Sequence, residues 1–318
     1  MKKTRICDIL GVEYPIIQGG MTWIANAELA AAVSEAGGLG IISPNADWDR
    51  QGDQRDNLRR HIRLAKELTR KPFGVNIPVI DPAARGLVEL CIDEQVAVVV
   101  TAAGNPATFT SMLKNNGIKV LHVVASRRHA LGAERSGVDA VTAEGYEAGG
   151  HNGLDELPTF VLVPQVVDAV TVPVVAAGGI ADARGFVAAL ALGAEGVQMG
   201  TRFIATTECR AHPSFKQAVV EALETGTVVT GRRIGPTRGI KNQFTTKVLE
   251  MEAAGSSVEQ LLSFIGENRS RKGHLEGDAD EGEMYCGAIA GMVTEIASAG
   301  EVVRSIVDGV DSVLSRLQ

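Results

Sequence analysis

The residues best suited to chemistry stand together in Ala143-Glu144-Gly145-Tyr146-Glu147-Ala148-Gly149-Gly150-His151-Asn152-Gly153, directly after the apolar run Val138 to Thr142. A histidine changes charge near neutral pH and so can serve as general acid or base. Glycines let the backbone turn at positive φ and let another group come close. Gly149 and Gly150 are therefore expected to hold His151 on an exposed turn at the end of a strand, where α/β enzymes place their reacting groups. Glu144, nearer the strand end, and Glu147 could orient the imidazole, and either could equally be solvated.

Positioning these groups requires a frame. The runs Tyr14 to Ile17, Leu39 to Ser43, Phe73 to Ile77, Val96 to Val100, Lys119 to Val124, Ala140 to Ala143, Val172 to Ala177 and Gly196 to Met199 are strand candidates. They recur at intervals of roughly 20 to 35 residues, the length of one βα unit. Between them lie helical patterns, such as Ala25 to Ala36 with a glycine stop, and Asp53 to Arg70 with Leu58, Ile62, Ala65 and Leu68 at helical spacing. Strands of near-continuous Val, Ile and Ala are buried on both faces, which means a parallel sheet covered by helices. The expected fold is α/β, a (β/α)₈ TIM barrel over residues 1–206. The rival is a doubly wound open sheet, since periodicity does not show closure. Its dinucleotide fingerprint is missing, because Gly38-Leu39-Gly40-Ile41-Ile42-Ser43 lacks the third glycine. After Thr206 the rhythm breaks, and a smaller, mainly helical C-terminal lobe on the substrate side is expected over 207–283. Residues 284–318 should form a C-terminal helix returning to the barrel, with helical patterning from Ala288 to Leu317.

In such a barrel the loops after strands seven and eight lie side by side and converge on one phosphate. Ala177-Gly178-Gly179 and Gln198-Met199-Gly200-Thr201 end those strands, with no Cβ at the glycines to block approach and a hydroxyl at Thr201. Glycines that merely close tight turns would read the same for either loop alone. Across the mouth, Gln18-Gly19-Gly20-Met21 and Asn76 end strands one and three. Amides, carboxamides and a thioether suit a planar heteroaromatic ring, which needs hydrogen bonds at its edge and apolar contact on its faces. His122, inside an apolar strand, would line the core or the mouth, whereas His61, His129, His212 and His274 read as histidines without a chemical role.

With 318 residues, 45% of them hydrophobic, the chain can bury a large core, and a net charge of -7 argues against nucleic-acid or anionic-membrane partners. Lys2, Lys3 and Arg5 are followed by no apolar run, and Val96 to Ala103 is far shorter than the roughly 18 residues that span a bilayer. A cytoplasmic protein acting on a small partner is expected, and the apolar Ala and Val faces between Ala288 and Val313 suit a homodimer. Cys7, Cys91, Cys209 and Cys286 are scattered, so neither a metal site nor a disulfide framework is indicated.

The stretches Gln18 to Met21, Ala36 to Ile42, Lys71 to Ile77, Glu144 to Gly153, Val174 to Ile180 and Glu195 to Phe203 resemble one FMN-dependent family. It unites nitronate monooxygenases, formerly called 2-nitropropane dioxygenases, with flavin-containing enoyl-acyl-carrier-protein reductases. The resemblance implies FMN at the barrel mouth, its phosphate on Gly178, Gly179, Gly200 and Thr201 and its ring near Gly20, Met21, Asn76 and Gln198. It also implies His151 over the reacting carbon or nitrogen. Around these, Gln18, Gly19, Glu144, Gly149, Gly150, Ala177 and Met199 complete the expected cofactor shell. Ile240 to Gln243, Gly277 to Gly282 and Gly287 to Gly291 look like the reductase branch, from which Tyr285, Cys286 and Ala288 depart.

What the resemblance implies is an oxidoreductase that oxidises alkyl nitronates or nitroalkanes with oxygen. The alternatives are an NAD(P)H-dependent enoyl-acyl-carrier-protein reductase acting on an acyl thioester, or an NAD(P)H:quinone reductase. A flavin-binding module without turnover is the non-enzymatic alternative. A flavin-free isomerase or aldolase would need a catalytic lysine or carboxylate on a strand end, and the strands offer few.

Overall fold

The computed structural model describes residues 3–49 and 51–317, so Lys2 and Arg50 lie outside the described residues. The parallel sheet holds strands β1 (Ile16–Gln18), β2 (Ile41–Ile42), β3 (Gly74–Pro78), β4 (Val98–Ala102), β5 (Lys119–Val124), β6 (Ala140–Glu144), β7 (Val174–Ala177) and β8 (Gly196–Met199), in which β2 through β8 pair each with the next in sequence. β1 also pairs with β8. The seam between β1 and β2 is bridged at Ile17 and Leu39, where Gln18 N donates to Leu39 O and Leu39 N to Ile16 O, each at 2.9 Å. The sheet thus curls into the expected barrel, and the open-sheet rival that periodicity left standing is set aside.

Alternation along the strands sorts the core into two layers. Ile17, Leu39, Ile41, Val98, Val100, Leu121, Ala140 and Val175 fill the barrel, plugged from below by Ile6 and Leu10 of helix Arg5–Leu10. Val99, Val120, Val124, Val141, Val174 and Val197 face outward against the helices. Helix Gln54–Leu68 starts where Asp53 accepts from Arg55 N at 2.8 Å. Its Leu58, Ile62 and Ala65 are buried, while Leu68, the fourth residue of the expected stripe, is 48% exposed.

The expected helix over Ala288 to Leu317 is two pieces, a 3₁₀ turn Ala288–Met292 and an α-helix Ala299–Leu314. The second begins at a capping box, in which Ser298 and Glu301 each accept from the other's backbone N–H. It packs between helices Ala183–Ala191 and Ala27–Glu35 and fills the place of the eighth barrel helix. Its Val302, Val303, Ile306 and Val310 are buried there, so the apolar face expected to suit a homodimer is covered by the chain itself.

The lobe between β8 and that helix is mainly helical as expected, with helices Gln243–Ala253 and Val258–Ile265 around a small core of Phe244, Val248 and Leu261, and it adds a helix Pro213–Val220. It also carries a β-hairpin that the composition of Thr225 to Asn242 hides. Thr227–Thr230 and Thr237–Ile240 pair antiparallel, and the second takes Gly150–His151 as a third strand. Among the described residues no helix is long and apolar enough to cross a membrane.

Candidate active site

A cavity of about 880 Å³ opens at the C-terminal ends of the strands, between barrel and lobe. It is lined by Gly19, Gly20, Met21, Asn76, Glu144, Gly149, Gly150, His151, Ala177, Gly178, Gly179, Gln198, Met199, Gly200 and Thr201. The structure thus brings together every cofactor and catalytic residue expected from sequence except Gln18. Gln18 is fully buried at the β1–β2 seam, where its Oε1 accepts from Ile41 N at 3.0 Å and its Nε2 donates to Gly19 O. A carboxamide beside glycines at a strand end reads as a ligand; here its hydrogen bonds close the barrel instead.

On one side of the cavity Gly178 and Gly179 follow β7 at φ values of +86° and +75°, a pair of left-handed residues. A Cβ on Gly178 would stand 2.9 Å from Gly145 O, so only glycine fits. The Thr201 hydroxyl accepts from Gly287 N at 2.8 Å, which ties the end of β8 to the segment after Tyr285. Across the mouth, a Cβ on Gly20 would lie 2.4 Å from Asn76 Cβ, and one on Gly19 would lie 3.1 Å from Gln198 Cγ. These glycines let two carboxamides reach over the barrel axis. Gln198 Oε1 is buried without a hydrogen-bond partner among the described residues. A buried acceptor of that kind costs roughly 1–3 kcal/mol unless a ligand supplies a donor. The ring edge of a flavin, with donors and acceptors in one plane, meets that need, and Met21 lies alongside with its Sδ 3.7 Å from a Cβ placed on Gly200.

His151 does not sit on a free turn. It is a strand residue paired with Thr237, and Gly150, at φ +84°, is paired with Arg238. Farther along the same edge Tyr285 pairs with Gly239. The strand Thr237–Ile240 therefore sets His151 and Tyr285 side by side on one cavity wall. Their rings meet edge to face, with centroids 5.7 Å apart at 70°. Among the described residues no group hydrogen-bonds the His151 ring, and burial in the concave wall pushes its pKa down. The imidazole is held neutral.

Tyr285 is anchored in turn. Its N–H donates to His274 Nε2 at 2.9 Å, and His274 Nδ1 lies 3.2 Å from Thr22 O. His274 stacks on Phe215 at 4.9 Å and is kept neutral, its pKa pushed down to about 4 by burial. His274, read from sequence as a bystander, thus joins β1's loop to the cavity wall. No local signal marks it, because its partners are distant in sequence. Tyr285 left a trace only as a departure from the reductase pattern.

The two glutamates separate. Glu147 accepts from Thr159 N at 2.9 Å and from Thr159 Oγ1 at 2.9 Å, so it holds the start of helix Thr159–Val167. Glu144, at the end of β6, faces the cavity with no hydrogen-bond partner among the described residues, and desolvation pushes its carboxyl up to about 7. It does not orient His151. His122 lines the cavity as well, while His61 and His212 are structural, the latter accepting from Ser214 N at the start of helix Pro213–Val220. Among the described residues no cluster of His, Cys, Asp and Glu could hold a metal, and all four cysteines are buried and free.

Comparison with known proteins agrees with this geometry. The nitronate monooxygenase family profile matches residues 3–89 and 83–309. The chain is 35% identical to a probable nitronate monooxygenase of Staphylococcus saprophyticus, over 86% of this chain and 89% of that protein. It is 32% identical to an octahydro-1H-indene-4-carboxyl-CoA dehydrogenase of Mycobacterium tuberculosis, over 96% and 95%. Among solved structures it is similar to FabK from Thermotoga maritima, with a TM-score of 0.92 and 44% identity over 100% of this chain and 99% of that one. A nitroalkane oxidase from Streptomyces ansochromogenes gives a TM-score of 0.83 and 27% identity over 98% and 99%. A barrel mouth with an orphaned carboxamide, a glycine cradle and a neutral histidine, together with these matches, makes the chain a member of the nitronate monooxygenase family of flavin-dependent oxidoreductases.

Proposed function

We propose that the chain binds FMN and oxidises alkyl nitronates, and the nitroalkanes from which they form, with oxygen. The observation that carries this reading is His151, an imidazole on the cavity wall with no hydrogen-bond partner among the described residues and its pKa pushed down by desolvation. A neutral imidazole is a base at neutral pH, suited to take the proton from the carbon that bears a nitro group, and to hold the resulting anion in place. FMN, when bound, supplies the two-electron acceptor that the protein itself lacks. The amides of Gly178 and Gly179 suit its phosphate, while Asn76 and Gln198 suit the edge of its ring. Tyr285 packs its ring edge to face against the imidazole.

The test is His151→Ala. FMN content should be unchanged, and kcat/KM for a neutral nitroalkane should fall by about 10² or more, the usual loss of a general base. Loss with the preformed nitronate should be smaller, since no proton remains to be taken. Unchanged turnover of both would refute the role of His151.

A second reading, reduction of an enoyl thioester by NAD(P)H, is favoured by Glu144. A carboxyl pushed up to about 7 keeps a proton near neutrality and faces the cavity as a donor. The full-length similarity to FabK, a flavin enoyl-acyl-carrier-protein reductase, and to a carboxyl-CoA dehydrogenase supports the same reading. Anaerobic mixing separates the two: bleaching of the flavin by NADH or NADPH supports the reductase, and bleaching by a nitronate alone supports the oxidase.

A further inference from the structure

One wall of the cavity is joined to a carboxyl that does not itself reach the cavity. Trp23, Ser270, His274 and Tyr285 line that wall, whereas Glu283, 9% exposed, does not. Trp23 Nε1 donates to Ser270 Oγ at 3.0 Å, and the Tyr285 phenol is hydrogen-bonded to both Ser270 and Glu283. The four side chains thus form a row from indole to carboxyl. Its first member is held in place at φ +70°, a conformation that a bulky residue seldom adopts, with the Trp23 carbonyl accepting from Asp47 N at 2.8 Å. Its third is held by His274, whose Nε2 accepts from Tyr285 N, so that the ring proton lies on Nδ1 toward Thr22 O.

Counting donors fixes which way the protons run. An indole has a donor and no acceptor, so Ser270 accepts from Trp23. With Glu283 ionised, the carboxylate accepts from the Tyr285 hydroxyl, and the Tyr285 oxygen accepts from Ser270. Every proton is then used inside the row, and Ser270 keeps only a lone pair for the cavity. With Glu283 protonated, its O–H donates to the Tyr285 oxygen, and the Tyr285 proton swings to Ser270. Ser270 then accepts from both neighbours, and its own proton is left for the cavity. Only the Glu283 proton comes from solvent, while the two hydroxyls turn about their C–O bonds. Among the described residues Arg269, on the short helix Arg269–Arg271, is the cation that favours the carboxylate. Its guanidinium is shared with Glu281 at 2.8 Å and with the carbonyls of Phe264 and Ile265. Burial outweighs it and pushes the Glu283 carboxyl up to about 7, while burial keeps Tyr285 and His274 in their neutral forms.

We infer that Glu283 is a positioning residue: through the Tyr285 phenol it sets whether the Ser270 hydroxyl offers the cavity a proton, and that proton holds an acceptor oxygen of the substrate. The inference rests on the cavity being the active site, and it deepens either reading above. The oxygen belongs to a nitro or nitronate group in the first and to the thioester carbonyl in the second.

The experiment is titration of the FMN-loaded protein with 2-methyl-2-nitropropane, followed by flavin absorbance. This nitroalkane has no α-hydrogen, so it neither reacts nor ionises, and its nitro oxygens only accept. Wild type should bind it about fivefold more tightly at about pH 6 than at about pH 8.5, the worth of one hydrogen bond. Tyr285→Phe leaves the Ser270 proton to the cavity in both conditions and should bind tightly in both. Ser270→Ala should bind weakly in both. A general loosening of the wall would weaken the two variants alike, so the gain in one and the loss in the other report the row itself. Glu144, on the same cavity, also titrates near 7, and Glu144→Gln should keep the wild-type difference. The inference is overturned if wild-type affinity is equal in the two conditions, if the difference survives Tyr285→Phe or Ser270→Ala, or if Glu144→Gln abolishes it. Turnover of a nitronate is measured beside it: turnover with no pH-dependent binding sinks the hydroxyl row alone, and pH-dependent binding without turnover sinks the nitronate reading alone.

Discussion

Replacing Glu144 by Gln should stabilise the flavin-free protein at high pH and leave it unchanged at low pH. Desolvation raises this carboxyl from 4.5 to about 7, and no charged neighbour contributes. At about 1.4 kcal/mol for each tenfold change in ionisation, the folded protein is up to about 3 kcal/mol worse than the unfolded chain at holding a carboxylate there. The sign follows from linkage: a raised acid pKa means that the folded state binds the extra proton, so wild-type stability falls as pH rises from 4.5 to about 7. Below that window both states are protonated and the substitution gains nothing. Above it the full difference is present, trimmed by water that enters the cavity. Urea unfolding of both proteins at about pH 5 and about pH 8.5 measures it as a shift in midpoint at constant slope. The comparison between variants cancels the titration of His122, His274 and Glu283, which also have shifted pKa values. An equal gap at the two pH values would show that Glu144 is not desolvated, and with it would fall the case for a proton donor at that position.

Other residues give contrasts of their own. Gln198→Leu removes the unpartnered Oε1 and should stabilise the flavin-free protein by about 1 kcal/mol while weakening FMN binding about tenfold, opposite signs that calorimetry and flavin fluorescence read separately. Tyr285→Ala removes the ring packed edge to face on His151 and with it part of the desolvation, so the imidazole pKa measured by NMR should climb back toward 6.5 and the acidic limb of the pH–rate profile should move with it; Tyr285→Phe should leave both in place. Gly149→Ala would set a Cβ 2.6 Å from the Cys286 carbonyl carbon and should cost about 2 kcal/mol or more, seen as a lower melting temperature; wild-type stability would mean that the two segments are not in contact.

Much of the frame was legible because barrel strands advertise themselves. Val98 to Val100, Val120 and Leu121, and Val174 to Ala177 are buried whichever face they point to, so apolar residues fill these positions. The cradle was legible for the opposite reason: Gly178 and Gly20 stand where a Cβ would collide with backbone or with Asn76, and Gly179 holds a positive φ. The hairpin was not, because Thr227 to Thr230 and Thr237 to Ile240 are short and mix threonines with few apolar residues, and the pairing of the second with Gly150 and His151 joins segments far apart in sequence. The same distance hid His274 and Tyr285, whose roles arise only from residues far apart in sequence. Gln18 misled because a carboxamide shows its donors and acceptors in the sequence but not their direction.

Helix Ala299–Leu314 belongs to the ring between Ala183–Ala191 and Ala27–Glu35, yet it is made after the entire lobe. During synthesis the first strand and its helix emerge early and wait with an apolar flank uncovered while the ribosome works through the lobe. Closure of the ring therefore waits until the segment after the lobe has been made. Val33 of the early helix and Val302, Val303 and Ile306 of the late one, all buried in the finished protein, remain open to chaperones until then. Loss of that last segment would leave the strands paired and the cavity residues encoded, and would still yield a protein that meets the cell's quality control before it meets its flavin.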